Sequence, residues 1–353
     1  MEAPINVAEP PFNPSPRADL ILRSTDGMDF HIMKAFLIFD SPVFQNTLLT
    51  GKRSSTRQTQ EGLDLLRLDE DSSVIRHILL FCYPGVPPTL KTLEDIITLL
   101  RAAEKYEMEA LGKQVREILV ESSFMKKDPL RLFSLAFQYG WENVGRVAAR
   151  NTLALQLQDL PHSNELNSIS GGDLWYLNQY RYQCSDAIRK WVSKKDALLL
   201  GYERGSACDA FVWWNSKNSR HTASNTNNHC SQQSYFYYAP SNPFGANQIF
   251  INCDTSTSVW WTTYINSLLR YLEFCPSERT IREDSGYAET ALTSAARCSF
   301  CAASAYKDLP IYKELLAKTI SKVIDEVRVT ATSLLVLRLL FIYLMLQIGP
   351  TQH

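Results

Sequence analysis

Between residues 19 and 121 the chain carries a start or stop signal for each element of a small domain, and this stretch dictates more of the fold than any other. Two short runs, 19–23 and 29–33, are joined through Ser24-Thr-Asp-Gly27. The Asp-Gly pair is a hairpin signal, because both residues tolerate the positive φ that tight reversals need, so an antiparallel hairpin is expected. Ser41 can cap the free N–H groups of a following helix, and Pro42 suits its first position, where no donor is required. That helix is expected to send Phe44, Leu48 and Leu49 into a core. The run 63–68 reads as a third strand, with Leu63, Leu65 and either Leu66 or Leu68 inward and one break in the alternation.

Helices should follow. Asp69-Glu-Asp-Ser-Ser73 supplies acids and caps for one that lines up Val74, Ile75, Ile78, Leu79 and Cys82 and stops at Tyr83-Pro-Gly85. Thr92, with Asp95 three residues on, caps a second, striped by Leu93, Ile96, Ile97, Leu100 and Ala103. Met108, Leu111, Val115, Ile118 and Leu119 stripe a third. A hairpin and a strand interleaved with helix pairs make an α+β domain over residues 17–123.

Five motifs in this stretch resemble, in order, the successive signatures of a BTB/POZ domain. They are Asp19-Leu-Ile-Leu, Phe30-His31-x-x-Lys34, Asp40-Ser-Pro-Val-Phe44, Phe81-Cys-Tyr-Pro-Gly85 and Leu99-Leu-Arg-Ala-Ala-Glu-Lys-Tyr106. The Ala102-Ala-Glu-Lys-Tyr-Glu-Met108 run and the Tyr83-Pro-Gly85 turn are most similar to BTB proteins abundant in mushroom-forming fungi. The resemblance implies a protein-interaction fold. It also matches Asp19 and Lys34 to an acid–base pair that lines a charged groove at the dimer surface of related domains; the plainer reading is an ion pair tying strand to helix. His31 reads as a structural residue beside the hairpin.

With 36 basic and 37 acidic residues the net charge is −1, so no overall field draws a polyanion and nucleic-acid binding gains no support. Eight cysteines without an apolar signal segment at the start point to a reducing compartment, cytoplasmic or nuclear. Residues 1–16 hold Pro4, Pro10, Pro11, Pro14 and Pro16 and read as a disordered leader unable to build a core.

Beyond the domain, residues 124–196 read as a helical extension. Asp128 caps and Pro129 starts one helix, 141–157 continues with Val144, Val147, Ala148 and Leu155, and Leu174, Leu177, Tyr180, Cys184, Ala187, Ile188 and Trp191 stripe another. Its Pro129-Leu-Arg-Leu-Phe and Ala148-Ala-Arg-Asn-Thr-Leu153 pieces resemble the region that follows the domain in the fungal group, where such helices extend a partner groove. Residues 197–328 form a Cys- and Trp-containing helical region interrupted by a polar loop, 215–234, too poor in apolar side chains to offset its ordering entropy. In it Trp260, Trp261, Tyr264, Ile265, Leu268, Leu269 and Leu272 share a helix face, and Leu309-Pro310 should interrupt the last helical pattern. The apolar tail, 329–353, carries Arg338 and Gln347 and barely attains the length of a membrane span, leaving three readings: a buried helix, a membrane anchor, or residues appended by a mis-assigned gene end.

Catalytic chemistry finds little support. Cys298-x-x-Cys301 has the spacing of a half zinc site, but His221, His229, Cys230, Cys208 and Cys253 offer the other ligands only at irregular spacings. The bland alternative is two small buried thiols on an alanine-rich helix. Cys82 and His229-Cys230 lack an identifiable base and orienting partner for a nucleophile, and no phosphate-binding glycine pattern occurs. No cofactor or metal is therefore expected. The resemblance implies a non-catalytic scaffold with protein partners: a second copy through the BTB surface, or a cullin for which it would be a ubiquitin-ligase substrate adaptor. The alternatives are a zinc-stabilised module in a transcription-related regulator and a tail-anchored adaptor.

Overall fold

The computed structural model describes residues 6–49, 57–60, 62–85, 88–159, 162–194, 197–200, 211, 214–215, 236–238, 249–251, 256–284 and 286–327. It divides into two compact units, Met1–Lys127 and Asp128–His353.

The first unit is α+β. Its strands β1 (Asn6–Val7), β2 (Leu20–Arg23), β3 (Met28–Ile32), β4 (Arg57–Gln60) and β5 (Leu63–Arg67) form one sheet in the order β1-β3-β2-β5-β4. The expected hairpin is β2–β3, antiparallel with Ile21 opposite His31 and Leu22 opposite Phe30. Gly27 takes a φ of +81°, and the loop is pinned from outside: Thr25 N–H donates to the Glu70 carbonyl, and the Asp26 carboxylate accepts from the Ser72 N–H and hydroxyl. β5 runs parallel to β2, so β2 is flanked on both edges and all four of its residues are buried. Leu65 and Leu66 are buried together, which explains the break in alternation: both faces of β5 are covered, as is usual for parallel pairing.

Helix α1 (Lys34–Asp40), which the sequence pattern did not announce, leads into α2 (Pro42–Leu49). Ser41 sits between them, and its hydroxyl oxygen accepts the Phe44 N–H at 3.1 Å, the cap expected there. Phe44 and Leu48 are buried, but Leu49, one residue round the helix, is 58% exposed and leaves the expected core set. Helices α3 (Ser72–Cys82), α4 (Leu93–Lys105) and α5 (Glu109–Glu121) bury the anticipated stripes, except that Cys82 and Ile118 are only half-buried. Asp71 caps α3 through the Val74 N–H, and Thr92 and Asp95 form the reciprocal capping box of α4. A short α6 (Phe124–Lys127) closes the unit.

One expectation is corrected. Residues 6–16 are not a coreless leader. β1 pairs in parallel with β3, the Phe12 carbonyl accepts the His31 N–H at 2.9 Å, and the Phe12 ring is fully buried against Phe30 and Tyr83. Prolines hold a chain extended, and an extended chain is what a sheet edge can accept.

The second unit is mainly helical: α7 (Pro129–Tyr139), α8 (Glu142–Thr152), α9 (Gly171–Val192), α10 (Val259–Phe274), α11 (Glu278–Arg282), α12 (Gly286–Ala295) and α13 (Ser299–Asp325). The short strands β6 (Trp214–Asn215), β7 (Phe236–Tyr238), β8 (Ile249–Ile251) and β9 (Ser256–Thr257) pair as β6–β9 and β7–β8. Pro129 occupies the first turn of α7 as expected, although the Asp128 side chain makes no cap bond. Ser170 and Asp173 form a capping box at the head of α9. Leu177, Tyr180, Cys184 and Ile188 are buried on α9, whereas Leu174 is 36% exposed. The whole expected apolar set of α10 is buried.

The charged residue Arg181 is buried in that same α9 face. Its guanidinium donates to the carbonyls of Thr152, Leu155 and Phe274, satisfying open ends of α8 and α10. Pro310 does not interrupt the last pattern: α13 runs through it for 27 residues, because Leu309, Tyr312 and Leu316 around it are buried and their packing outweighs the lost backbone bond. Residues 216–234 of the polar loop and the tail 329–353 lie outside the described residues. Among those described, no helix is long and apolar enough to cross a membrane.

Candidate interaction surface

Asp19 stands just before β2, its N–H donating to the Ile32 carbonyl at 3.0 Å, and so faces the junction where β3 turns into α1. Its Oδ1 accepts the Lys34 N–H at 2.7 Å, whereas the Lys34 ammonium lies 3.9 Å from Oδ2, with both side chains over a third exposed. The short contact is to backbone. A long, half-exposed ion pair contributes little, so Asp19 acts chiefly as the acceptor that α1 lacks from its own cap residue, Met33. The Met33 N–H is satisfied separately, by the Tyr83 hydroxyl oxygen at 2.8 Å.

Tyr83, at the end of α3, organises the neighbourhood. Its ring meets Phe36 of α1 at 4.4 Å between centroids and Phe12 edge-on at 5.3 Å. Burial, with Asp19 nearby, pushes its phenol upward, so it stays a neutral hydrogen-bonding group. From Tyr83 an open cavity of about 660 Å³ spreads between α1, the end of α3 and the first turns of α5, lined by Phe36, Phe39, Phe81, Tyr83, Pro84 and Leu111. Phe39 stands at its mouth, 94% exposed.

Such a side chain gains nothing from the fold that carries it. A large, rigid, exposed ring beside an apolar hollow is the composition that marks interaction sites.

The polar groups of the cavity are equally telling. Cys82 donates its thiol proton to Asp40 Oδ2 at 3.7 Å, and burial together with the Asp40 charge pushes the thiol well above its ordinary value. That is the reverse of what a nucleophile needs. Cys82 is thus half-buried in a groove wall, where the sequence pattern had put it on the core face. His31 is buried in β3. His229 and Cys230 lie outside the described residues, as do His221, Cys208 and Cys253. Cys298 and Cys301 lie at the head of α13, and no group of three metal-ligating side chains occurs among the described residues.

The groove was missed in sequence because α1 was missed. A signal is the spacing of Phe36 and Phe39 directly before the Ser41-Pro42 cap, which sets two aromatics on one helical turn, Phe36 against Tyr83 and Phe39 outward.

The order of hairpin, α1–α2, parallel strand and helix pair, with the motifs quoted above falling on it, settles what the first unit is. Residues 10–123 match the BTB/POZ domain family model. That domain is a protein–protein interaction module, so the exposed Phe39 and its groove lie on a unit whose general business is holding other polypeptides. The match begins within the segment that packs Phe12 and ends before α6. No curated protein matches the chain.

Proposed function

We propose that the chain is a non-catalytic adaptor: the BTB unit grips a partner polypeptide through the groove between α1, α3 and α5, and the second unit holds another ligand. The observation that carries this is Phe39, 94% exposed beside an apolar hollow on a protein-interaction module. A ring so placed is a natural anchor, since hot spots of binding are aromatic side chains that become desolvated at the centre of an interface. Asp19 and Lys34 belong to the reading as the charged end of the same helix. Lys34 offers a half-exposed ammonium that can orient an acidic partner residue at the rim.

The partner class we propose is a cullin, which would make the chain a substrate adaptor of a ubiquitin ligase working among intracellular proteins. Self-association through the BTB surface is compatible with it. The likeness to BTB proteins of mushroom-forming fungi rests on residues 83–85 and 102–108 of the domain and on the helical pieces quoted above.

The test is direct binding. Full-length chain is mixed with a cullin amino-terminal region and followed by sizing and calorimetry, with Phe39→Ser alongside. Complex formation that Phe39→Ser weakens at least tenfold supports the adaptor reading. No complex at micromolar concentrations removes the cullin, and retained affinity in the variant removes the groove.

A further inference from the structure

Two cysteines that the adaptor reading does not use stand at the head of α13, the longest of the described helices. Cys298 is the residue immediately before α13, with extended backbone at φ −109° and ψ 119°, and Cys301 lies within the first turn. Cys298 is half-buried and Cys301 fully buried, and neither is in a disulfide. Cys298 stands close enough to Cys301 to act on its thiol, pushing it upward. Cys298, the residue before the helix, and Cys301, the third residue within it, therefore stand at the same end of α13.

The surroundings of Cys301 form a polar lining. The Ser258 hydroxyl, at the head of α10, lies 4.0 Å from its sulfur. Burial, joined by the neighbouring Cys298, pushes the Cys301 thiol upward, against a smaller downward pull from Trp260 and Ser258.

The other described thiols are built differently. Cys184 and Cys275 are buried, with Cys184 pushed up to about 12 by burial. Cys82, though half-buried, stands at the last residue of α3 against Asp40, where both the helix end and the carboxylate oppose a negative sulfur. Cys298 has the opposite placement, at the positive end of a 27-residue helix, which favours the thiolate that attacks an oxidant.

We propose that Cys298 and Cys301 are a peroxide-responsive modification site that cycles between dithiol and disulfide. The Cys298 thiolate attacks one oxygen of hydrogen peroxide; the S–O bond forms, the O–O bond breaks, and hydroxide leaves to be protonated as water. The Cys301 sulfur then attacks the resulting sulfenic sulfur; the S–S bond forms, the S–O bond breaks, and the hydroxyl departs as a second water with the Cys301 proton. Peroxide is reduced by two electrons and the thiol pair is oxidised by two. A small-molecule or protein dithiol returns the pair to the reduced state by exchange, entering at the more accessible Cys298 sulfur.

The test uses the reduced full-length chain treated with hydrogen peroxide, then unfolded, alkylated and read by peptide mass spectrometry. Cys298 and Cys301 should lose alkylation together, regain it with dithiothreitol, and react roughly tenfold or more faster than Cys82, Cys184 and Cys275. Cys301→Ser should halt the reaction at a Cys298 sulfenic acid trapped by dimedone. Cys298→Ser, in which serine remains a good residue to precede a helix, should leave residue 301 alkylatable throughout. Loss of one thiol without the other, pairing with a different cysteine, or no difference in rate would overturn the proposal. So would a stoichiometric zinc ion that shields both sulfurs until it is chelated. The wild-type readout requires no variant to fold.

Discussion

Arg23 and Asp29 face each other across the β2–β3 pair, and the guanidinium grips both carboxylate oxygens, at 2.6 and 2.8 Å, with only 1% of the Asp29 side chain exposed. A buried charge is tolerable when its partner and hydrogen bonds are in place, and removing one partner strands the other in an apolar setting. Arg23→Ala should therefore destabilise the first unit by about 3–5 kcal/mol. Replacing both residues with apolar ones of similar volume should cost much less. Urea unfolding of the two variants checks this; equal losses would mean that the cost lies in packing and not in the stranded carboxylate.

The Asp19 carboxylate serves the Lys34 N–H more than the Lys34 ammonium, which gives opposite expectations for the two side chains. Asp19→Ala should lose about 1 kcal/mol, the usual cost of a missing helix-end acceptor, while Asp19→Asn keeps an acceptor oxygen and loses less. Lys34→Gln should stay within about 0.5 kcal/mol. Thermal melts of the three variants separate a capping role from a charge-pair role.

Phe36 and Phe39 lie on one short helix but do different work. Phe36→Ala should cost roughly 1–2 kcal/mol through its lost contact with the Tyr83 ring. Phe39→Ala should leave stability within about 0.5 kcal/mol, because nothing in the fold covers that ring. If unfolding experiments show the Phe39 variant to be the less stable, the ring is structural and the groove loses its anchor.

His77, half-buried on α3, has its imidazolium disfavoured first by burial, so its folded-state value lies below the ordinary 6.5. The unfolded chain then binds the proton more readily than the folded one, and stability must rise with pH across the window just below 6.5. The contribution is fully present above 6.5 and is lost as pH falls to the depressed value. The difference in unfolding free energy between wild type and His77→Gln should shrink or reverse between pH 7.5 and pH 5.5; a difference independent of pH would exclude His77 as the cause.

What the sequence disclosed and what it hid divide along physical lines. Local chemistry was readable: the Asp26-Gly27 reversal, the Ser41 and Thr92 caps and the stripe of α10 depend on residues within a few positions of one another. Features decided by distant partners were not. Phe12 looks like a lone aromatic among prolines until β3 and Tyr83 are placed beside it, and Pro310 looks like a break until the buried residues around it are counted. Arg181 reads as the polar interruption of an apolar stripe because the carbonyls it satisfies come from residues 152, 155 and 274. The same holds for the groove: its walls come from α1, α3 and α5, and the motifs that contain Asp40 and residues 81–84 do not show that these side chains meet Phe36, Phe39 and Leu111.

The burial of Phe12 also fixes where this domain may be cut. A fragment begun at Arg17, as composition would advise, would lack the ring that fills the space over Phe30 and Tyr83 and the strand that covers the β3 edge. It would present an open slot and an unpaired sheet margin to every neighbouring molecule, and such a truncated preparation would clump through a surface the intact chain never shows.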